Sequence, residues 1–191
     1  MSIASRYRNW KINKKKTNQL NEWRKKGIIV PDSFLWEDDI RLDLSNPFFD
    51  MPGGSIEIGE NVKISKGVII DSFGGKVIIG NNVFIGPYTV IYGHGGVSIG
   101  NDTLISMGCK IISANHTIPE ENQLIRLKPD IIGKIIINED VWLGADVKIL
   151  SDLEIGRGAV VGANSVVNIS ILPFLIVAGS PAKIIGKRRN S

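Results

Sequence analysis

From Ile58 the apolar and polar positions fall into sixes that open on an aliphatic residue, often followed by glycine. They read I-G-E-N-V-K (58–63), I-S-K-G-V-I (64–69), I-G-N-N-V-F (79–84) and I-G-P-Y-T-V (85–90), then I-G-N-D-T-L (99–104) and I-S-M-G-C-K (105–110). After an interruption come I-N-E-D-V-W (137–142), L-G-A-D-V-K (143–148), I-L-S-D-L-E (149–154), I-G-R-G-A-V (155–160) and V-G-A-N-S-V (161–166). A six-residue unit of this kind is one short strand and one turn. The leading aliphatic points inward and stacks on its equivalents about 4.8 Å away. Glycine, asparagine or aspartate in the turn accepts the positive φ of a sharp corner. The fifth position holds Val62, Val83, Thr89, Thr103, Val147, Ala159 and Ser165, all small or β-branched, and Cys109 falls in the same column. A buried, structural cysteine is expected there.

Three sixes close an eighteen-residue triangular coil, and residues 137–154 and 155–172 read as uninterrupted examples. Earlier coils carry extra residues, always after the third strand: Ser72–Lys76, His94–Gly96 and the long stretch 114–136. Insertions confined to one corner of a solenoid mark its working face. Upstream, residues 5–26 predict a helix with Trp10, Leu20 and Trp23 toward the body. Residues 28–57 read as irregular, broken by Pro31, Pro47, Pro52 and Gly53–Gly54, and capping the first coil. This gives a helix and cap over 1–55, a β-helix with a protruding loop over 56–172, and a C-terminal cap with a basic tail over 173–191.

The chain's two histidines, His94 and His116, both lie in these insertions, after the third strands of successive coils. Coil stacking then brings the imidazoles to one face, within several ångströms. An imidazole accepts a proton at neutral pH, which is what a general base must do.

The ordered set S-A-N-H-T (113–117), V-W-L-G-A (141–145), V-G-A-N-S-V-V (161–167) and V-A-G-S-P-A-K-I-I (177–185) resembles the hexapeptide-repeat acetyltransferases. The closest branch is that of the O-acetyltransferases of lipopolysaccharide, O-antigen and capsule, with the maltose and galactoside acetyltransferases also similar. The resemblance implies an all-β fold, a left-handed parallel β-helix, assembled as a homotrimer with active sites between subunits. It implies acetyl-CoA as co-substrate, no metal, a saccharide acceptor and His116 as general base. For CoA it implies Trp142, Gly144 and Ala145 in the first of the glycine motifs, Gly162 and Ala163 in the second, and Lys183 with help from Lys187 or Arg188. Asn168–Ile169 departs from the Thr-Lys of relatives. Ser72 matches a sugar-contacting serine of the galactoside branch, while His94 stands where that branch has an acid. His94, Asp71, Ser72, Tyr92 and Arg126 are therefore the acceptor-contact candidates, Asp71 and Tyr92 from corner position alone.

Composition narrows the alternatives. Residues 1–30 hold nine bases against Glu22, while the whole chain carries +4. The basic arm is a candidate contact for an anionic membrane, or a solvated helix face. No aromatics interleave with bases downstream, so nucleic acid is set aside as a partner. One cysteine, a polar N-terminus and the lack of a long apolar run point to a cytoplasmic protein. Two histidines and one cysteine cannot supply the three-histidine metal site of a γ-type carbonic anhydrase. An antibiotic acetyltransferase and a non-catalytic β-helix subunit remain open as alternatives.

Overall fold

The computed structural model describes residues 3–45 and 53–189, with side chains from residue 14 onward. Short strands wind into a three-sided prism, a left-handed parallel β-helix, whose faces are three parallel sheets. The first face stacks Leu35–Trp36, Lys63–Ile64, Phe84–Ile85, Leu104–Ile105, Trp142–Leu143, Val160–Val161 and Leu175–Ala178. Arg41–Asp43, Ile69–Asp71, Val90–Tyr92, Lys110–Ile112, Lys148–Ile149 and Val166–Val167 form the second. The third is Ser55–Ile58, Lys76–Ile79, Val97–Ile99, Ile135–Ile137 and Leu153–Ile155.

The six-residue pattern acts through two positions. Leading residues Ile58 to Val161 are buried, and so is the fifth-position column, including Val62, Thr89, Thr103, Cys109 and Ser165. Polar members of that column hydrogen-bond to coil carbonyls: Thr89 to Ser106 at 3.1 Å, Thr103 to Asn138 at 3.1 Å, Ser165 to Gly162 at 2.7 Å. Cys109 follows the same rule, its thiol 3.2 Å from the Gly144 carbonyl, and burial pushes the thiol pKa up. A buried thiol held protonated is a poor nucleophile. The fourth position turns the corner at φ near 60°, held by Asn61, Asn82, Asp102, Asp140, Asp146, Asp152 and Asn164. Tyr88 takes this conformation without their short polar side chain. Its ring lies over Gly67, where a Cβ would approach to 2.5 Å.

Two sequence expectations need correction. Residues 28–57 are not simply irregular, because 29–43 form a further coil. Ile29 bridges Glu57, Leu35 pairs with Lys63, and Arg41 with Ile69. W-E-D-D-I-R (36–41) obeys the hexad rule, with Trp36 and Ile40 buried and Asp39 at φ 60°. Residues 155–172 are also not a full coil: Ile155 pairs with Ile171, two residues earlier than the period requires. The chain end then folds back, Lys183–Lys187 running antiparallel to Leu175–Ala178.

The N-terminal helix, Ile3–Lys25, closes the first coil's open cross-section. Trp23 is buried, with its ring 5.2 Å from Trp36 and 6.0 Å from Phe34, and Leu20 packs beside it. The side chain of Trp10, like Pro47 and Pro52, lies outside the described residues. No described helix is long and apolar enough to cross a membrane.

Trp23→Ala removes the ring that seals this end. It is expected to cost about 3 kcal/mol in denaturant unfolding, against under about 0.5 kcal/mol for an ordinary surface site.

Candidate active site

All three insertions leave from the corner joining the second face to the third. Coils touch there through glycine: a Cβ on Gly95 would meet the Ser113 carbonyl at 2.3 Å and the Gly133 amide at 2.6 Å. This contact fixes the long insertion over the His94 turn. Gly133 donates to the Ser113 carbonyl at 2.9 Å, Gly95 to the Ser113 hydroxyl at 2.9 Å, and Ile135 to the Gly96 carbonyl at 3.0 Å.

The insertion is a β-hairpin. Ala114–His116 runs antiparallel to Asp130–Ile132, with His116 opposite Asp130. Thr117 closes the arms through the Pro129 carbonyl at 2.7 Å, and Asn115 ties them to Ser151 of the next coil at 2.6 Å. The cross-strand register sets His116 Nδ1 2.7 Å from Asp130 Oδ1. An ionised carboxylate only accepts, so this contact favours the ring form with its proton on Nδ1, which keeps the Nε2 lone pair for a substrate. The His116 side chain is 75% exposed and can reach a substrate.

The second histidine shares the same carboxylate. His94 Nδ1 lies 3.8 Å from Asp130 Oδ2, and its side chain is 13% exposed. The two imidazoles therefore meet at one corner, as their sequence positions implied, with Asp130 between them. Asp130 escaped the sequence reading, because its partner lies across the hairpin tip. The mirrored flanks I-I-S-A-N-H-T and K-P-D-I-I-G were the available signal.

Val90, Tyr92, Ile112, Ala114, Asn115, His116 and Asp130 line a cavity of about 400 Å³. Burial, then the nearby Asp130 and Asp71 carboxylates, push the Tyr92 pKa up to about 12. Its hydroxyl stays a donor at neutral pH. Behind it, Phe73 packs 4.8 Å from Tyr92 and 5.2 Å from His94. Asp71 is buried, its pKa raised chiefly by desolvation, while the Phe73 amide at 2.9 Å and Arg41 at 3.3 Å hold its oxygens. Neighbouring Asp43 goes the other way, lowered first by the Ser45 hydroxyl and then by the Ser45 amide.

The acceptor candidates divide accordingly. Tyr92 and His116 line the cavity, while Asp71 and His94 stand behind it. Ser72 is fully buried, its hydroxyl turned inward toward the Asp43 carbonyl at 3.3 Å, so acceptor contact is withdrawn for this residue. The insertion folds its first serine under the corner rather than over it. Arg126 is exposed in the single helical turn Ile125–Leu127 at the hairpin tip, away from the cavity lining. A wider groove of about 690 Å³ lies beside the N-terminal helix, between Lys16, Trp36 and Asp38, and neither histidine lines it.

The CoA candidates occupy a different edge, where the first face turns into the second. Trp142 is 52% exposed, with its indole N–H 3.3 Å from the Ser106 hydroxyl. Gly144 and Gly162 are committed to coil stacking. Their amides bond the Val161 and Val177 carbonyls at 2.8 Å, and a Cβ on Gly144 would meet the Ala163 amide at 2.6 Å. The turn residues Ala145 and Ala163, by contrast, leave their amides without a hydrogen bond among the described residues. Lys183 is exposed at the chain end. Arg188 is engaged elsewhere, 2.7 Å from Asp140 and 3.2 Å from the Gly158 carbonyl. One chain therefore does not bring the histidine corner and the alanine turns together.

Comparison with known proteins agrees with the fold and the repeat. Residues 134–168 match the bacterial transferase hexapeptide family (six repeats), and residues 76–112 match the hexapeptide repeat of succinyl-transferase. The chain is 38% identical over 149 residues to the putative lipopolysaccharide biosynthesis O-acetyl transferase WbbJ of Escherichia coli K12, spanning 74% of this chain and 76% of that protein. A chloramphenicol acetyltransferase of Klebsiella aerogenes is 43% identical over 56 residues, only 29% of this chain and 27% of that protein. Among solved structures, AntD, an N-acyltransferase from Bacillus cereus crystallised with dTDP and 3-hydroxybutyryl-CoA, superposes with a TM-score of 0.74. It is 27% identical, with 89% of this chain and 88% of that chain covered. On the hexad coils, the matched repeats and the likeness across three quarters of its length, the chain belongs to the hexapeptide-repeat acetyltransferases.

Proposed function

We propose that this enzyme transfers acetyl from acetyl-CoA to a sugar hydroxyl in the assembly of a lipopolysaccharide, O-antigen or capsular glycan, with His116 as general base. The observation that carries this reading is the 2.7 Å contact between His116 Nδ1 and Asp130, which leaves Nε2 free and outward. In the reaction Nε2 takes the acceptor hydroxyl proton while that oxygen attacks the thioester carbonyl. The tetrahedral intermediate then expels the CoA thiolate, which recovers the proton from the imidazolium. No acyl-enzyme is needed, in keeping with a thiol sealed inside the coil. Likeness to WbbJ over most of both chains favours a glycan hydroxyl as acceptor. A second reading, acylation of an amino sugar, draws on the likeness to AntD over most of both chains, that N-acyltransferase having also been crystallised with dTDP-4-amino-4,6-dideoxyglucose. The chloramphenicol acetyltransferases match too short a segment to favour an antibiotic.

The enzyme works as a homotrimer in this proposal. His116 and the open Ala145 and Ala163 amides stand on different edges of one prism, so a neighbouring copy supplies the second half of each site. The first face also shows a row of exposed apolar side chains, Leu35, Phe84, Leu104 and Trp142, of the sort that marks an interface. Pantetheine would lie along the alanine turns, with its phosphates toward Lys183 and Lys187. The N-terminal helix would rest on the anionic leaflet where a lipid-linked acceptor resides. Within the protein, Lys15 faces Asp38, Lys16 donates to the Trp36 carbonyl and Arg24 pairs with Asp32, which leaves Lys25 and Lys26 exposed.

His116→Ala is expected to lower kcat by about 10²–10⁴ with the acetyl-CoA KM little changed, measured by thiol release across a panel of sugar and amino-sugar acceptors. Retained turnover would remove His116 from the mechanism. Trp142→Ala is expected to weaken acetyl-CoA binding. Mixing inactive His116→Ala with an inactive double variant at Trp142 and Lys183 should then restore part of the activity, since some interfaces inherit two intact halves. No recovery in co-refolded mixtures, or a monomer by light scattering, would exclude a shared site. Neutralising Arg6, Arg8, Lys11, Lys25 and Lys26 to glutamine should abolish flotation with anionic liposomes, each base contributing about 1 kcal/mol at such a surface. This leaves the Trp23 seal in place, and unchanged flotation would end the membrane assignment.

A further inference from the structure

His94 carries a polar atom that nothing in the fold explains. Its Nδ1 is buried without a hydrogen-bond partner, a state that is unfavourable if it persists. The atom lies 3.8 Å from Asp130 Oδ2. That distance is too long for a hydrogen bond and too short to seat a water, since two bonds of about 2.8 Å through one oxygen span more than about 4 Å. On the far side the ring meets Phe73 at 5.2 Å and Tyr92 at 6.3 Å, both edge-to-face, which leaves the carboxylate as the polar group before it. Among the described residues no other donor reaches Oδ2.

We propose that His94 is a positioning residue, whose Nδ1–H closes onto Asp130 Oδ2 in the substrate complex and so holds the carboxylate that orients His116. The proposal rests on His116 being the base. It departs from the expectation that His94 contacts acceptor, because the ring is largely buried and aimed at Asp130. A closure of about 1 Å suffices, and catalytic hydrogen bonds in unliganded sites are often long in this way. The need for such a latch follows from the hairpin, since an isolated two-stranded hairpin is marginal in water and the arm residues Ile131 and Ile132 are more than half exposed. Asn115 fixes one arm to the next coil, and closure of His94 onto Asp130 would fix the other to the coil below. Tyr92 and Asp71 with its partner Arg41 are held as described above, while Lys134 lies beside Gly96 and Asp152 beside Gly133 at the same corner.

His94→Phe keeps the ring packing and removes the donor, whereas His94→Asn puts an amide N–H at the place of Nδ1. With folding checked by thermal melting, H94F is expected to lower kcat about tenfold to a hundredfold without raising the acceptor KM, and H94N to recover most of that loss. In an Asp130→Ala background H94F should add less than about twofold. With only two histidines, ¹⁵N-labelled wild-type enzyme gives a readout that needs no variant: with CoA bound, His94 should be Nδ1-protonated, with a downfield N–H proton. A rise in acceptor KM at constant kcat would reassign His94 to acceptor contact. Losses that multiply in H94F/D130A, H94N no better than H94F, or an Nε2–H tautomer at His94 would each overturn the proposal. His116→Ala separates the two readings: if it stays active the base assignment fails, and if it is dead while H94F is normal only the latch fails.

Discussion

Every other feature of this molecule depends on the register of the inter-coil backbone ladder. Each strand is locked above and below by parallel pairing, Leu104 against both Phe84 and Trp142, and Ile111 against both Ile91 and Ile149. The inward residues are then stacked copies of one another, and a coil cannot gain or lose a residue within a face without shifting the pattern to the other side of the strand. Extra residues must therefore leave at a corner. The same rigidity that makes the prism monotonous makes it a precise mount for whatever the corner extrudes.

The corner converts that rigidity into chemistry. Glycines let successive turns approach backbone to backbone, so the His94 turn and the base of the hairpin stand in fixed relation. Antiparallel pairing within the hairpin sets His116 opposite Asp130, the cross-strand contact from which the proposed base and its orienting carboxylate are built. A solvated histidine in a loop would lose time among rotamers and tautomers. Here the scaffold removes both freedoms before a substrate arrives, which is what preorganisation requires.

What could be read from the sequence follows the same logic. The interior was legible because each hexad position answers to one local demand: an aliphatic to point inward, a residue tolerant of positive φ at the corner, a small or β-branched side chain beside it. Trp36 obscured the first coil, since a tryptophan does the work of the usual isoleucine and no glycine follows it. Residues 155–172 misled in the opposite direction, their regular spelling hiding a corner shortened by two residues. At the site, His94 and His116 were legible by their insertions, because insertion position is a topological fact. Ser72 and Asp130 were not. Whether an inserted side chain turns under or over the corner, and which residue it meets across a hairpin tip, depends on a turn geometry that no periodicity encodes.

Separation of the two halves of the proposed site has a physical consequence for how activity is tied to assembly. A cleft completed by a second chain can be formed only when two prisms lie side by side in fixed registry. A monomer would keep its fold, since its core is sealed by its own coils and by the Trp23 helix. It would carry both halves of the proposed site but on different edges, with no thioester surface facing its own His116. Stability and catalysis are thus carried by different interactions, the interior column for one and the outward rows for the other. On the proposed assembly, that division would account for the exposed Leu35, Phe84, Leu104 and Trp142 of the outward first face.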